Sequence, residues 1–169
     1  MNVVLVAVSS LDGFIARRDG GMDWASKEDR EWFTSYAQAV GVVIVGRKTY
    51  EAALKRGLLP LKLRMVMTHN PEKFEPQPNT IFTNDPPREV LAAIEKRGFS
   101  RVLVAGGGEV NSAFAKENLI DEIRLTIEPV HLGNGIPLFS KNDFERQLKL
   151  LETKNLNENT VQFHYQVIK

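Results

Sequence analysis

Apolar positions along this chain follow two rhythms. Val3-Val4-Leu5-Val6-Ala7-Val8, Val42-Val43-Ile44-Val45-Gly46 and Val102-Leu103-Val104-Ala105-Gly106 are unbroken aliphatic runs that close on small or turn-forming residues. Runs apolar on both faces predict strands buried on both sides, as in parallel sheets covered by helices. Arg64-Met65-Val66-Met67-Thr68 and Thr80-Ile81-Phe82-Thr83 predict two more strands. Helical patterns fall between them, over 26–40, 49–56, 87–97 and 109–116, with Gly57 and Gly98 as stops and Asp85 ahead of the prolines at 86 and 87. In the C-terminal third the rhythm changes. Ile123, Leu125 and Ile127 alternate with Arg124, Thr126 and Glu128, and Val161, Phe163, Tyr165 and Val167 alternate with Gln162, His164 and Gln166. Period-two alternation predicts strands with one face less buried, joined antiparallel at the sheet edge, with a turn at Leu156-Asn157-Glu158-Asn159. The expected fold is one three-layer α/β domain over residues 1–169, with a mixed, mostly parallel central sheet and antiparallel C-terminal edge strands.

One position breaks the pattern. Ser26 with Asp29 three residues on is a capping-box signature, a polar cap followed by an acidic reach-back. The helix that follows has an apolar stripe of Trp32, Phe33, Tyr36, Ala37 and Val40, and Asp29 falls on that stripe. A carboxylate on the apolar face of a helix is costly unless it is paired or protonated. Asp29 is therefore either a cap or a group kept for chemistry, and the two are compatible.

Composition narrows the class of function. At 169 residues and 43% hydrophobic the chain can bury a substantial core. With 22 Lys and Arg against 21 Asp and Glu, nothing argues for a nucleic-acid or membrane-surface partner. The absence of cysteine excludes disulfides, thiolate zinc sites and a cysteine nucleophile. No apolar run approaches a membrane span and Met1-Asn2 leads straight into the first strand, so a cytoplasmic protein is expected.

Ligands of open α/β sheets gather at the carboxyl ends of the strands. Gly106-Gly107-Gly108 sits at such a point, where glycine lets backbone amides approach a phosphate and the helix dipole favours negative charge; a tight turn is the plainer reading. The triplet is not the dinucleotide fingerprint, because Asn111 stands where its third glycine belongs. Gly46-Arg47-Lys48-Thr49-Tyr50-Glu51 places two cations and a hydroxyl at another helix start, suiting a phosphate or simply a solvated basic turn. Thr68-His69 is a weaker third point, and His131 and His164 read as structural. No His, Asp and Glu cluster has metal-ligand spacing, no Gly-x-Ser-x-Gly elbow occurs, and Ser9-Ser10 lacks a base.

Taken in order, these segments resemble the dihydrofolate reductase superfamily, including the reductase domain of the riboflavin-pathway deaminase-reductases. Trp24, Asp29, Trp32 and Phe33 are similar to its W-x(4)-D-x-x-W-F segment, and the 46–51 and 106–108 segments to its G-R-x-T-[WY]-E and G-G-G motifs. Leu125-Thr126 matches the pair whose threonine supports the active-site acid. Ser10-Leu11-Asp12-Gly13-Phe14-Ile15-Ala16, and Ile120-Asp121-Glu122 through Pro129 to Gly133-Asn134-Gly135-Ile136-Pro137-Leu138-Phe139, resemble the riboflavin-type branch. The resemblance implies an NADPH-dependent reductase of a pterin-like or ribosylamino-pyrimidine substrate, with Asp29 and Thr126 catalytic and Trp24 and Phe33 against the substrate. It implies cofactor contacts at Ala7, Ile15, Gly46, Arg47, Lys48, Thr49, Thr68, His69, Gly106, Gly107, Gly108, Glu109 and Val110, no metal, and a homodimer.

Three departures bear on the substrate. Lys62 replaces the arginine that clamps the folate tail in dihydrofolate reductases, and a lysine cannot form the bidentate fork. Glu109 stands where some relatives place a second arginine for the cofactor 2′-phosphate, although a glutamate in a first helical turn also suits the dipole. The zinc deaminase module of the bifunctional riboflavin enzymes is missing, so a riboflavin-pathway role would be that of a lone reductase. A genuine dihydrofolate reductase and a non-catalytic nucleotide-binding module of the same fold are the alternatives.

Overall fold

The apolar runs fold side by side, as their composition requires. A computed structural model describes residues 1–140 and 143–169. The parallel strands are β1 (Asn2–Ser9), β3 (Val42–Gly46), β4 (Leu63–Met67), β5 (Thr80–Thr83) and β6 (Arg101–Val104). Between them lie α1 (Lys27–Val40), α2 (Arg47–Arg56) and α3 (Pro87–Glu95), and α4 (Gly108–Lys116) follows β6. β7 (Glu122–Ile127) joins β1 in parallel, and β10 (Val161–Val167) and β9 (Leu148–Asn155) extend the sheet antiparallel. The sheet order is β5-β4-β3-β6-β1-β7-β10-β9, and the short strands β2 (Phe14–Ala16) and β8 (Ile136–Pro137) pair apart from it. This is the α/β fold expected from the sequence, with antiparallel strands at one edge.

Alternate side chains of the parallel strands feed two cores. Val3, Leu5, Ile44 and Met65 pack on one side with Val90 and Ile94 of α3 and Phe114 of α4. Val4, Val6, Val43, Val45 and Val66 pack on the other with Ala37 of α1 and Tyr50 of α2. Burial on both faces is what the unbroken apolar runs need.

Two expectations about the antiparallel part change. β9 has no alternating pattern in sequence because the ladder shifts register between His164 and Tyr165, which face Glu152 and Leu150, leaving Leu151 as an extra residue. Around the end of β7 and the start of β10 the polar face is the better buried one. Thr126, Glu128 and Gln162 are 0%, 2% and 3% exposed, whereas Leu125, Ile127, Phe163 and Tyr165 are only half-buried. The polar residues lie on the side of α1, where Arg124 stacks over Tyr36. Among the described residues, no helix is long and apolar enough to cross a membrane.

Candidate functional site

The site begins at the first turn of α1. Ser26 is the N-cap, and its Oγ accepts the Asp29 backbone N–H at 3.2 Å. The other half of a capping box is missing. The Ser26 backbone N–H donates to Glu128 Oε1 at 2.8 Å, so Asp29 is not needed for the reach-back. The Asp29 side chain turns to Thr126, with which it hydrogen-bonds. Thr126 Oγ1 accepts from Gln162 Nε2 at 3.1 Å, which directs its own O–H toward the carboxylate. Asp29 is 6% exposed. Burial, chiefly, pushes its carboxyl up to about 6; the Thr126 hydrogen bond opposes the shift, the Glu128 charge adds to it, and Arg30 opposes it. A carboxyl of this kind can hold a proton close to neutral pH.

Neighbouring sequence-predicted residues fall into place around α1. Trp24 precedes the cap, half-buried, and its indole Nε1 is buried without a hydrogen-bond partner. Phe33 lies one turn beyond Asp29 and packs with Trp32 and Tyr36 against the α1-side core. Ala7 sits on β1 opposite Leu125, one register position before Thr126. Lys62 is elsewhere. It stands exposed beside Gly41, the C-cap of α1, and its backbone N–H donates to Gly41 O at 2.9 Å. At 1.5 Å per helical residue that is about 18 Å from Asp29, so Lys62 is not a wall of the pocket around the acid.

A second feature occupies the carboxyl ends of β3 and β6. Here α2 and α4 begin at Gly46 and Gly107, and neither helix has a side-chain cap. Gly46 N–H donates to Gly106 O at 2.8 Å, bringing the two starts together. Gly106 adopts φ +86°, and its peptide bond to Gly107 is cis. A Cβ on Gly106 would lie 3.9 Å from Ile15 Cδ1, and one on Gly107 would lie 3.6 Å from Thr49 Oγ1. Ile15 and Thr49 therefore both border this turn. Two adjacent helix N-termini without side-chain caps make a candidate anion site, whose chemistry suits the phosphates of a nicotinamide dinucleotide. Arg47 and Lys48 are exposed beside it, with Arg47 Nη1 3.0 Å from both Glu51 carboxylate oxygens.

Several residues expected to touch the cofactor also have structural partners. Gly108 packs on the segment after β8: a Cβ there would come within 2.5 Å of Pro137 O and closer to Ser140 Oγ, and its carbonyl accepts the Ser140 N–H at 3.2 Å. Packing alone therefore requires glycine at 108, whereas an added Cβ at Gly106 or Gly107 would meet no atom closer than 3.6 Å. Val110 is 8% exposed, and its Cγ2 would meet a Cβ on Gly46 at 3.1 Å, so it packs the two helix starts together. Thr68 is buried and its Oγ1 accepts the Asn70 N–H at 3.3 Å, while exposed His69 faces Asn84 Oδ1 at 3.2 Å. Glu109 is exposed in the first turn of α4. The loop after β1 is pinned by Asp12, which accepts from Ser10 Oγ at 2.7 Å, Gly133 N–H at 2.8 Å and Leu132 N–H at 3.1 Å. These hydrogen bonds hold its carboxyl well below the usual range.

Glu128 and Gln162 escaped the sequence reading, because in an alternating strand they looked like the solvated face. The available signal was their alignment with Thr126, which the resemblance had already marked as inward.

Comparison with known proteins fits this geometry. The family model of the RibD C-terminal domain matches residues 1–162. The chain belongs to the RibD C-terminal domain family. It is 38% identical over 170 residues to the uncharacterized protein YwjB of Bacillus subtilis (strain 168), covering 96% of this chain and 95% of that one. Among solved structures, a protein of Shewanella sp. PV-4 superposes with a TM-score of 0.83 at 23% identity over the full length of both chains. The diaminohydroxyphosphoribosylaminopyrimidine deaminase/5-amino-6-(5-phosphoribosylamino)uracil reductase of Thermotoga maritima superposes with a TM-score of 0.79 at 19% identity, covering 99% of this chain and 56% of that chain. The shared fold is dihydrofolate reductase-like.

Proposed function

We propose that this RibD C-terminal family member is an NADPH-dependent reductase of a pterin-like or ribosylamino-pyrimidine substrate, with 5-amino-6-(5-phosphoribosylamino)uracil as the riboflavin-pathway candidate. The observation that carries the reading is Asp29, a buried carboxyl pushed up to about 6 at the same end of the sheet as the twin helix starts. When bound, NADPH supplies a hydride to a C=N or C=O carbon, and the reaction still needs a proton at the heteroatom. Asp29 supplies or organises that proton. Thr126 orients the carboxyl from behind through the hydrogen bond that Gln162 fixes. A carboxyl also pairs with the amino and ring N–H groups of a pteridine or aminopyrimidine, and the unpartnered Trp24 Nε1 is a further donor in the same segment. The free amides at Gly106 and Gly107, with Thr49, hold the pyrophosphate, and Arg47 with Lys48 supplies charge for the 2′-phosphate. The homodimer belongs to the same proposal, and sedimentation of the purified chain measures it.

The test is loss of NADPH absorbance in the near ultraviolet against a panel of dihydrofolate, unconjugated pterins and ribosylamino-pyrimidine phosphates. Turnover of a small heterocycle ahead of dihydrofolate supports the proposal. Nanomolar dihydrofolate binding would make the protein a dihydrofolate reductase. Binding of NADPH without turnover of any compound would favour a nucleotide-binding module.

A further inference from the structure

The capping box at the start of α1 is completed by the wrong residue, and this has a functional consequence. In such a box the acid at the third helical position, here Asp29, reaches back to the N-cap backbone N–H. Glu128, just beyond β7, takes that N–H. Its other oxygen accepts the Thr160 hydroxyl at 2.7 Å, and its own backbone N–H donates to Ser9 O at 2.9 Å. Glu128 is 2% exposed; its carboxylate bridges the start of α1 and the residue before β10, and its backbone N–H ties it to the end of β1. Burying a second carboxylate beside Asp29 is costly, and stability alone gives no reason for it, because Asp29 could close the box itself.

Resting on the reductase reading above, we propose that Glu128 is the positioning residue of this site: it replaces Asp29 in the helix cap, frees the Asp29 side chain for the pocket, and sets a fixed negative charge behind it. The charge matters because like charges at close range cannot both ionise freely. The charged groups acting on Asp29 are Glu128 from beyond β7 and Arg30 from α1 itself. From β10 and the residue before it the neutral Gln162 and Thr160 contact this network; on the same face His164 pairs with Glu122 at 2.7 Å, and Arg124 of β7 stacks over Tyr36. Arg30 is partly engaged by the Ala25 and Ser26 carbonyls, which leaves Glu128 as the charge that favours the proton on Asp29.

The experiment is a carboxyl-carbon NMR titration of the whole ligand-free protein, with Asp29 assigned by its absence from Asp29→Asn. Glu128→Gln keeps the shape, and its side-chain amide still accepts from Ser26 and can donate to Thr160, so only the charge is lost. The Asp29 midpoint should fall by about one pH unit in this variant, with the melting temperature little changed. Glu128→Ala, if folded, should show Asp29 turned back onto the Ser26 N–H, read as slowed exchange of that amide relative to Glu128→Gln. An unchanged Asp29 midpoint in Glu128→Gln overturns the proposal, and a lower melting temperature without a midpoint shift would leave Glu128 a purely structural strut. None of these readouts uses turnover. If the midpoint shifts as expected while the parent protein turns over no compound of the panel, the reductase reading fails and the Glu128 assignment stands.

Discussion

The two halves of the sheet bury opposite kinds of side chain. From β5 to β1 the strands carry aliphatic residues on both faces, and both faces are dry beneath helices. From β7 to β9 the side under α1 is polar, with Thr126, Glu128 and Gln162 nearly inaccessible, while Phe163 and Tyr165 stack half-exposed on the other side. In the first half buried polarity is sparse in the strands, with Arg64 of β4 and Thr83 of β5 among the exceptions, and the loop ends offer amides at glycines and helix N-termini. In the second it is built into the strands, where Gln162 meets Thr126, Thr126 meets Asp29, and Thr160 and Ser26 meet Glu128, while Arg124 Nε is buried without a hydrogen-bond partner and its guanidinium stacks over Tyr36. Buried polar groups are tolerable only when satisfied, so such a network marks where the fold accepts a cost. The parallel half supplies an anion cradle, and the antiparallel half supplies the polar bed on which the acid of α1 rests.

Removing the acid is the strongest way to separate the two. Asp29→Asn should keep NADPH binding and cut turnover by about 100-fold or more, the scale of a lost acid/base group, as steady-state kinetics would show. Parental turnover in the variant would make Asp29 only a helix-start residue. The same substitution should stabilise the protein at high pH. The folded carboxyl titrates near 6 against an unfolded value of 3.8, so the fold favours the neutral form. That preference is fully present below about pH 4 and is lost as the pH rises through about 6. At pH 8 Asp29→Asn should be more stable than the parent by about 2–3 kcal/mol, or roughly 4–10 °C in melting temperature, and the gap should close near pH 4. A gap that does not depend on pH would mean that the carboxyl is not buried as described.

The parallel half was readable from sequence because a strand buried on both faces shows directly in composition: five runs predicted five strands, and the glycine stops fell at the helix ends. In the antiparallel half the alternation was visible but not its sense, since period two says that two faces differ and not which one a helix covers. Thr126 was placed inward only through resemblance. Glu128 and Gln162, on the same face, were not. β9 was lost to its extra residue. At the glycine triplet the sequence could not tell a glycine that makes room for a ligand from one that makes room for another segment, which is the difference between Gly107 and Gly108.

That difference can be measured next. Gly108→Ala drives a methyl into Pro137 O and Ser140, and should cost about 1–3 kcal/mol of stability in a denaturant titration. Gly107→Ala meets only Thr49 Oγ1 at 3.6 Å with an ordinary φ of −69°, so stability should hold. Its methyl would occupy the phosphate approach, and NADPH affinity by calorimetry should fall by about tenfold or more. The reverse pattern would place the cofactor on the Gly108 side. A smaller effect is expected of Arg47→Ala, which should weaken NADPH by about tenfold and leave NADH nearly unchanged, because the exposed guanidinium already shares its charge with Glu51. Equal affinity for the two cofactors in the parent would show that Glu109 offsets Arg47.

The smallest effect is expected at Lys62, and it marks how far the pocket extends. Lys62 and Asp29 lie near opposite ends of α1, about 18 Å apart along the helix axis. An unconjugated pterin or a ribosylamino-pyrimidine bound at Asp29 is too short to span that distance. Lys62→Arg should therefore change binding of such a compound by less than about twofold, within the range of a solvated surface charge. Dihydrofolate carries a tail long enough to follow α1, and for it alone the arginine fork should gain about 1–2 kcal/mol. Calorimetry with both ligands on parent and variant resolves the cases. A gain for the small heterocycle would mean that the substrate lies along the helix rather than at its first turn, and the acid would then need a different partner.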